Sequence, residues 1–429
     1  MTTFKTTELR SPDGTSHALV PALRLKVVDG ADAGKTYASR HERIVLGTHE
    51  SADLVLSDPA VSRFHCEIAL VGDRARIRDL GSRNGTLVDG VTIVEAYLHP
   101  GATIAIGGSR LAFGVEPKPV QLPVSTGDRF GGLVGRSLAM RTVFARLERA
   151  AASDSTVLLE GETGTGKEAA AEAIHAASAR RGKPFVVVDC GAIPLELMES
   201  ELFGHERGAF TGAHATREGA FAAAHGGTLF LDELGELAPA LQPKLLRALE
   251  RREIKPVGRT AYTSVDVRVI AATHRDLRAE VNSRRFRADL FYRLAVIDVH
   301  LPALRERLDD LPLLVDQLLD AGGLRARPET SLVHTPEFLD QLAAHSWPGN
   351  VRELRNYIER CVALRAIEPI ATETQSATGG AMRQAKENWE RAYLEDLLAR
   401  HGNNVSAAAR GAGIDRKQLY KMLWRNGLR

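Results

Sequence analysis

The sequence predicts three parts in series: an all-β sandwich, an α/β domain built round a parallel sheet, and a small all-α helix-turn-helix. Three observations carry that prediction. Up to about Val115, short apolar runs are separated by Gly, Asp, Ser and Asn turns. From about Phe130 to Ile367, apolar strands alternate with helix-period stretches. The C-terminal end is basic and short, with two helical pieces around Gly411 and Gly413. A chain of 429 residues is long enough for two or three separate cores.

The first part, assigned to residues 20–115, contains LRLKVV, RIVLG, DLVLS, HCEIALV and ARIRDL, with few helix-period runs. The stretch EPKPVQLPVSTGD that follows has three prolines and no periodic apolar pattern, so residues 116–129 read as a linker. An LG pair, PAVSRFHCEI and IRDLGSRNGTLVDG resemble a forkhead-associated (FHA) domain, a family that binds phosphothreonine peptides. The resemblance implies that Ser62 and Arg63 supply a hydroxyl and a guanidinium to phosphate, with Ser82, Arg83 and Asn84 in a second recognition loop. His65 and Asn84 could instead serve loop architecture, and His65 is assigned that role. Thr48 departs from the family, whose first loop usually has Arg after the glycine corresponding to Gly47. Losing that cation should weaken phosphopeptide binding. A second reading therefore stands beside the first: a domain that keeps the fold but binds an unphosphorylated partner or the ATPase part itself.

In the second part, residues 130–367, the strands STVLLEG, PFVVVDC, GTLFLDE and VRVIAAT alternate with helices such as KEAAAEAIHAASARR and LQPKLLRALERRE. GETGTGKE, comprising Gly161, Glu162, Thr163, Gly164, Thr165, Gly166, Lys167 and Glu168, lies between a strand and a helix. In that context the glycines let backbone N–H groups converge on phosphate oxygens and Lys167 reaches the β/γ-phosphates, so ATP is the expected ligand. Farther on, GGTLFLDE ends a strand in Asp232 and Glu233. Asp232 would hold Mg2+, directly or through water, and Glu233 would polarise the attacking water.

With those residues, the segment resembles the AAA+ domain of bacterial enhancer-binding proteins, the activators of sigma-54 RNA polymerase. The family commonly has Glu after the phosphate-loop lysine, as Glu168 is here. The hexapeptide GAFTGA, Gly208, Ala209, Phe210, Thr211, Gly212 and Ala213, is found in few other ATPases, and the resemblance implies that it tips a loop contacting sigma-54. The family pattern carries arginine fingers onto Arg287 and Arg293 of FRADLFYRL, a first sensor onto His274 and a second sensor onto Arg352 of WPGNVRELRN. Fingers acting in trans imply a homo-oligomer, from dimer to hexameric ring, and are worth about 10³–10⁵ in rate. The lid is expected from about 303 to 367. Where the family often has Asn before Cys, this chain has Asp189-Cys190, and an ionised Asp cannot donate a hydrogen bond. The expectation is a less tightly restrained Glu233.

EPIATETQSATGG opens a second linker, assigned to 368–383, and residues 384–429 hold the third part. NWERAYLEDLLARHG puts Trp389, Tyr393, Leu394, Leu397 and Leu398 on one helical stripe. NNVSAAARGAGIDRKQLYKMLWRNGLR has the length and turn chemistry of a helix-turn-helix and resembles the Fis-type DNA-binding domain. Arg416, Lys417 and Gln418 are the candidates for base edges, each good bidentate pair being worth about 1–3 kcal/mol. Lys421 and Arg425 also face DNA in this reading, Arg425 together with Arg410 toward phosphate. A helical hairpin that only dimerises is the alternative.

The net charge of +2 says little about partners, but from Ala381 onward ten Lys/Arg face five Asp/Glu. Cys66, Cys190 and Cys361 have no metal-ligand spacing. With no long apolar run and no signal-like start, a cytoplasmic, membrane-free location is expected. The whole reads as an ATP-driven activator of sigma-54 RNA polymerase held on upstream DNA, with the first part expected to sense a phosphothreonine protein or peptide from a Ser/Thr kinase pathway. Two rivals are a DNA-binding repressor or scaffold whose ATP site only controls assembly, and an ATPase remodelling some other protein. GAFTGA with the Asp232-Glu233 pair argues against the first, and the basic tail against the second.

Overall fold

The computed structural model describes residues 7–10, 16–39, 41, 43–72, 74–325, 328–367 and 405. The chain divides into two compact units, residues 1–366 and 367–429. Of the second unit, only Ile367 and Val405 lie among the described residues. The helix-turn-helix residues Arg416, Lys417, Gln418, Lys421 and Arg425 and the 368–383 linker therefore lie outside them.

The first unit opens on a sandwich of two mainly antiparallel sheets. Strand Leu23–Asp29 alternates buried and exposed positions, as a half-buried strand requires. It pairs with Thr36–Ala38 and Ser109–Val115, and that sheet continues through Thr103–Ile106, Thr86–Val88 and Val91–Ile93. The facing sheet runs Glu95–Leu98, Arg74–Asp79, Cys66–Val71, Arg43–Gly47 and Leu54–Val55. Between them lies a closed apolar core of Leu23, Leu25, Val27, Ile44, Leu46, Ile68, Ile77, Ile104, Leu111 and Phe113. Thr48 lies at the end of one strand and Arg63 precedes another, so the recognition loops share one end of the sandwich.

The segment 116–129, expected to be a structureless linker, instead contains a strand. Val120–Val124 pairs antiparallel with Ser16–Val20, from Val20↔Val120 to Ser16↔Val124. Leu122 and Val124 are buried against Ala18 and Val20. Three prolines hid the alternation, and Pro123 is tolerated because this is an edge strand, where a missing N–H costs no ladder bond.

Beyond it, five parallel strands form the sheet of the α/β domain, in the order Phe185–Asp189, Thr228–Asp232, Arg268–Thr273, Val157–Glu160, Ile297–His300. The predicted strands all appear, and Ile297–His300 adds an edge. Val157–Glu160 is buried at every position, the pattern of a strand covered on both faces. Helices Leu138–Ala151 and Lys167–Ala176 pack on one side with Val157, Leu159, Phe230 and Ile270. Helices Leu195–Phe203, Gln242–Arg251 and Ala288–Leu294 contribute to the core on the other. Helices Leu311–Ala321, Pro336–Ala343 and Asn350–Leu364 form the lid. Trp347 is fully buried there, donating its indole N–H to the Leu342 carbonyl.

Candidate functional site

The strand Val157–Glu160 feeds its backbone into the loop 161–166, and the helix Lys167–Ala176 begins directly after it. Gly164 and Gly166 have φ of 81° and 105°, values only glycine takes without strain. A Cβ on Gly164 would lie 2.3 Å from the Gly349 carbonyl oxygen and 3.1 Å from the Arg352 Cβ, so the lid presses directly on this turn. Lys167 is buried and folds back, donating from Nζ to the Gly161 and Glu162 carbonyls at 2.8 and 3.1 Å. Burial holds its ammonium below the usual lysine range, and Arg352 adds to that depression while Glu233 and Asp232 oppose it. Cations from loop and lid therefore converge at a helix N-terminus, a setting suited to polyphosphate.

Glu162 is clamped by the lid. Its carboxylate accepts from both terminal nitrogens of Arg305, at 2.8 and 2.5 Å, and from Asn350 Nδ2 at 3.0 Å. The Arg305 hydrogen bonds are the main reason that its carboxyl is held down to about 2. Asn350 also donates to the Thr163 carbonyl and accepts from the Leu304 amide. Arg307, buried and pushed down to about 10 by that burial, donates to the Thr165 carbonyl at 3.2 Å. The sequence signalled none of these three supports, since each joins segments far apart in the chain. Thr163 and Glu168 are exposed, and Thr165 is buried with its hydroxyl on the Glu162 carbonyl at 2.9 Å.

Asp232 and Glu233 close the strand Thr228–Asp232, beside Asp189 across the sheet. Burial raises the Asp232 pKa, with the Glu233 charge adding to the rise and Lys167 opposing it. A divalent cation beside Asp232 would relieve that penalty, so the donor set fits Mg2+. Glu233 has a left-handed backbone, φ 48°, and its Oε2 lies 2.5 Å from His274 Nδ1. Asp189 turns elsewhere. Its Oδ1 accepts from the amides of Gly191 and Ala192 at 2.8 and 3.2 Å, so it shapes a turn beside Glu233.

Arg287 and Arg293 are exposed. Arg287 pairs with Asp289 at 2.7 Å and Arg293 donates to the Leu249 carbonyl, so neither bonds to the 161–168 loop of its own chain. GAFTGA is a surface hairpin closed by Gly208 N to Ala213 O at 2.8 Å and Ala213 N to Phe210 O at 3.0 Å. Gly208 and Gly212 have φ of 79° and 101° with open space around them. Phe210 stays 39 % exposed, edge-on to His205, and Thr211 is exposed.

At the sandwich end, Ser62 Oγ accepts from the Arg83 amide at 2.9 Å, which brings the two predicted recognition loops together. Arg63 and Arg83 are exposed. Ser82 is otherwise committed: its hydroxyl donates to Asp79 at 2.6 Å and accepts from the Gly85 amide. Asn84 donates to the Ala60 carbonyl, and His65 joins the Ser62 amide to the Gly85 carbonyl. Those three hold loop shape.

Comparison with known proteins follows this division. Residues 133–300 match the family described as Sigma-54 interaction domain, 305–388 the AAA+ ATPase lid domain, and 387–423 the bacterial regulatory protein, Fis family. Residues 26–116 match a family described as inner membrane component of T3SS, cytoplasmic domain. The transcriptional regulatory protein GlrR of Escherichia coli (strain K12) is 38% identical over 423 residues, covering 96% of this chain and 95% of its own. A crystal structure of NtrX from Brucella abortus is 37% identical, covering 68% of this chain and 69% of that one, with a TM-score of 0.50. A structure from work on phosphothreonine-dependent FHA domain interactions is 34% identical, covering 22% of this chain and 98% of that one, with a TM-score of 0.21.

Proposed function

Because the chain belongs to the sigma-54-interacting transcriptional regulators, with a Fis-type helix-turn-helix last, we propose that it carries an FHA-like domain first and hydrolyses ATP to remodel the sigma-54 polymerase complex at promoters. The observation that carries this is the meeting of Lys167, Asp232, Glu233 and His274 at the C-terminal ends of parallel strands, with GAFTGA exposed as a separate hairpin. Lys167 and the 161–166 amides bind the phosphates. Mg2+ supplies charge neutralisation, and Asp232 is the residue that would hold it. Glu233 orients and polarises the attacking water, while His274 fixes the direction of its carboxylate. Arg287 and Arg293, exposed and away from their own loop, act on a neighbouring copy, so the working form is a ring. The helix-turn-helix holds upstream DNA, and the FHA-like domain senses a phosphothreonine protein through Ser62, Arg63 and Arg83. A cytoplasmic location follows from that role.

The test is ATP-dependent open-complex formation by sigma-54 holoenzyme with this protein beside its Glu233→Gln variant. Activity confined to the unsubstituted protein supports the reading. ATP turnover without open complex, both in the full chain and after deletion of residues 1–125, would overturn sigma-54 as the target.

A further inference from the structure

The three loops at the phosphopeptide end of the sandwich also hold the ATPase domain. In the first, His49 follows Thr48 and stacks on Tyr292 with ring centroids 4.4 Å apart and its Nδ1 2.6 Å from the phenol oxygen. In the second, Phe64 follows Arg63, is 1% exposed, and packs edge-on against Phe291 at 5.6 Å. In the third, the Leu80 carbonyl accepts from Asn282 Nδ2 at 2.9 Å, and a Cβ on Gly81 would stand 3.8 Å from the Ala279 Cβ. The Asn282 side chain serves two loops at once, since it also donates to the Phe64 carbonyl and accepts from the Phe64 amide.

Behind these contacts runs an ion network that leads to the nucleotide site. Arg78 of the sandwich pairs with Asp276 at 2.7 Å, and Arg43 pairs with Glu160 at 3.2 Å. Glu160 directly precedes Gly161, and Asp276, two residues after His274, caps the helix Leu277–Asn282. Phe291 and Tyr292 lie on the same helix as Arg293.

We infer that a phosphothreonine peptide and the ATPase domain compete for this one end of the sandwich, so that ligand binding and interdomain docking exclude each other. This rests on the phosphothreonine reading proposed above. A peptide laid across the loops needs the surface around Thr48, Ser62, Arg63 and Arg83. Helix Leu277–Asn282 meets Gly81 and holds the Phe64 and Leu80 carbonyls beside that surface. The missing cation at Thr48 fits the same picture, because the first loop uses its next residue, His49, for an internal contact. Linkage then requires each event to weaken the other by the same factor. A bound peptide would free the Asp276 segment and the Arg293 helix from the sandwich, which conveys the signal to the nucleotide site.

The test uses the full-length chain and a degenerate phosphothreonine peptide library with its unphosphorylated twin. The 3.8 Å spacing suits a disulfide between Gly81→Cys and Ala279→Cys, while the native cysteines are all buried. Oxidation of that pair should reduce phosphopeptide affinity by about tenfold or more, and reduction should restore it. Asn282→Ala should bind the library roughly 5–150-fold more tightly than the unsubstituted chain, the range of coupling between linked sites. It also keeps the test alive if Cys at position 81, where φ is 66°, prevents folding. Phosphate-dependent binding of equal strength in all forms would overturn the competition and leave the phosphothreonine reading standing. No phosphate-dependent binding even by Asn282→Ala would overturn both.

Discussion

Glu233 Oε2 and His274 Nδ1 stand 2.5 Å apart, joining the end of one sheet strand to the residue after its neighbour. This pair fixes where the carboxylate points. His274→Ala should lower kcat for ATP by about 10²-fold, the lower end of positioned general-base effects, with little change in KM. His274→Asn, which keeps a donor, should recover most of the loss. A drop in KM-dependent binding alone would place His274 outside the hydrolytic step.

Asp189 Oδ1 accepts from the Gly191 and Ala192 amides. Asn at this position keeps that acceptor and adds a donor beside Glu233. Asp189→Asn should slow ATP turnover roughly fivefold, the effect of one added hydrogen bond of about 1 kcal/mol on the resting carboxylate. Unchanged ATP turnover and open-complex rates would remove Asp189 from the control of Glu233.

Thr211 projects from the GAFTGA hairpin into solvent. Thr211→Ala should leave ATP turnover within about twofold, as exposed substitutions usually cost under ~0.5 kcal/mol, and abolish open-complex formation. Equal loss of both would mean that the hairpin also serves hydrolysis.

Asn350 ties the lid to the phosphate loop through Glu162, Thr163 and Leu304. Asn350→Ala strands a buried amide and should cost about 1–3 kcal/mol in a denaturant titration at neutral pH. The Glu162 carboxyl sits at about 2 in the folded chain against an ordinary 4.5. Its contribution is therefore complete above about pH 4.5 and is lost as pH falls toward 2. Glu162→Gln should flatten that acid limb of the stability curve.

Burial at the interdomain contact lowers the His49 pKa from its usual 6.5, with Arg63 adding to the effect and Glu50 opposing it. Tyr292 faces the same ring. The docked state favours neutral His49, so docking is at full strength above pH 6.5 and weakens as pH falls through the lowered value. Hydrogen exchange across residues 277–294 should accelerate below pH 6.5, beyond the intrinsic rate change, and His49→Gln should remove that dependence.

The phosphate loop, Asp232-Glu233 and GAFTGA were legible because each is contiguous and its chemistry lies in adjacent residues. The sandwich was legible from period-two runs such as LRLKVV. Glu162 with Arg305, Asn282 with Phe64, and Arg78 with Asp276 were not, because folding alone brings those partners together across more than a hundred positions. Asn350 lay in plain view two residues before Arg352, but an amide whose bonds run to two distant segments, at 162–163 and 304, leaves no local pattern. The strand Val120–Val124 was obscured by prolines that an edge position permits.

That strand has an architectural consequence. Val20 and Val120 are direct cross-strand partners, so the chain enters and leaves the sandwich at one seam, about 5 Å apart. Everything between them is a cassette with adjoining ends, the arrangement in which whole modules can be inserted or exchanged without rerouting the host. An unrelated sensor with similarly spaced termini could be spliced at this seam. The ATPase would keep its own sheet, lid and phosphate loop and acquire a different input.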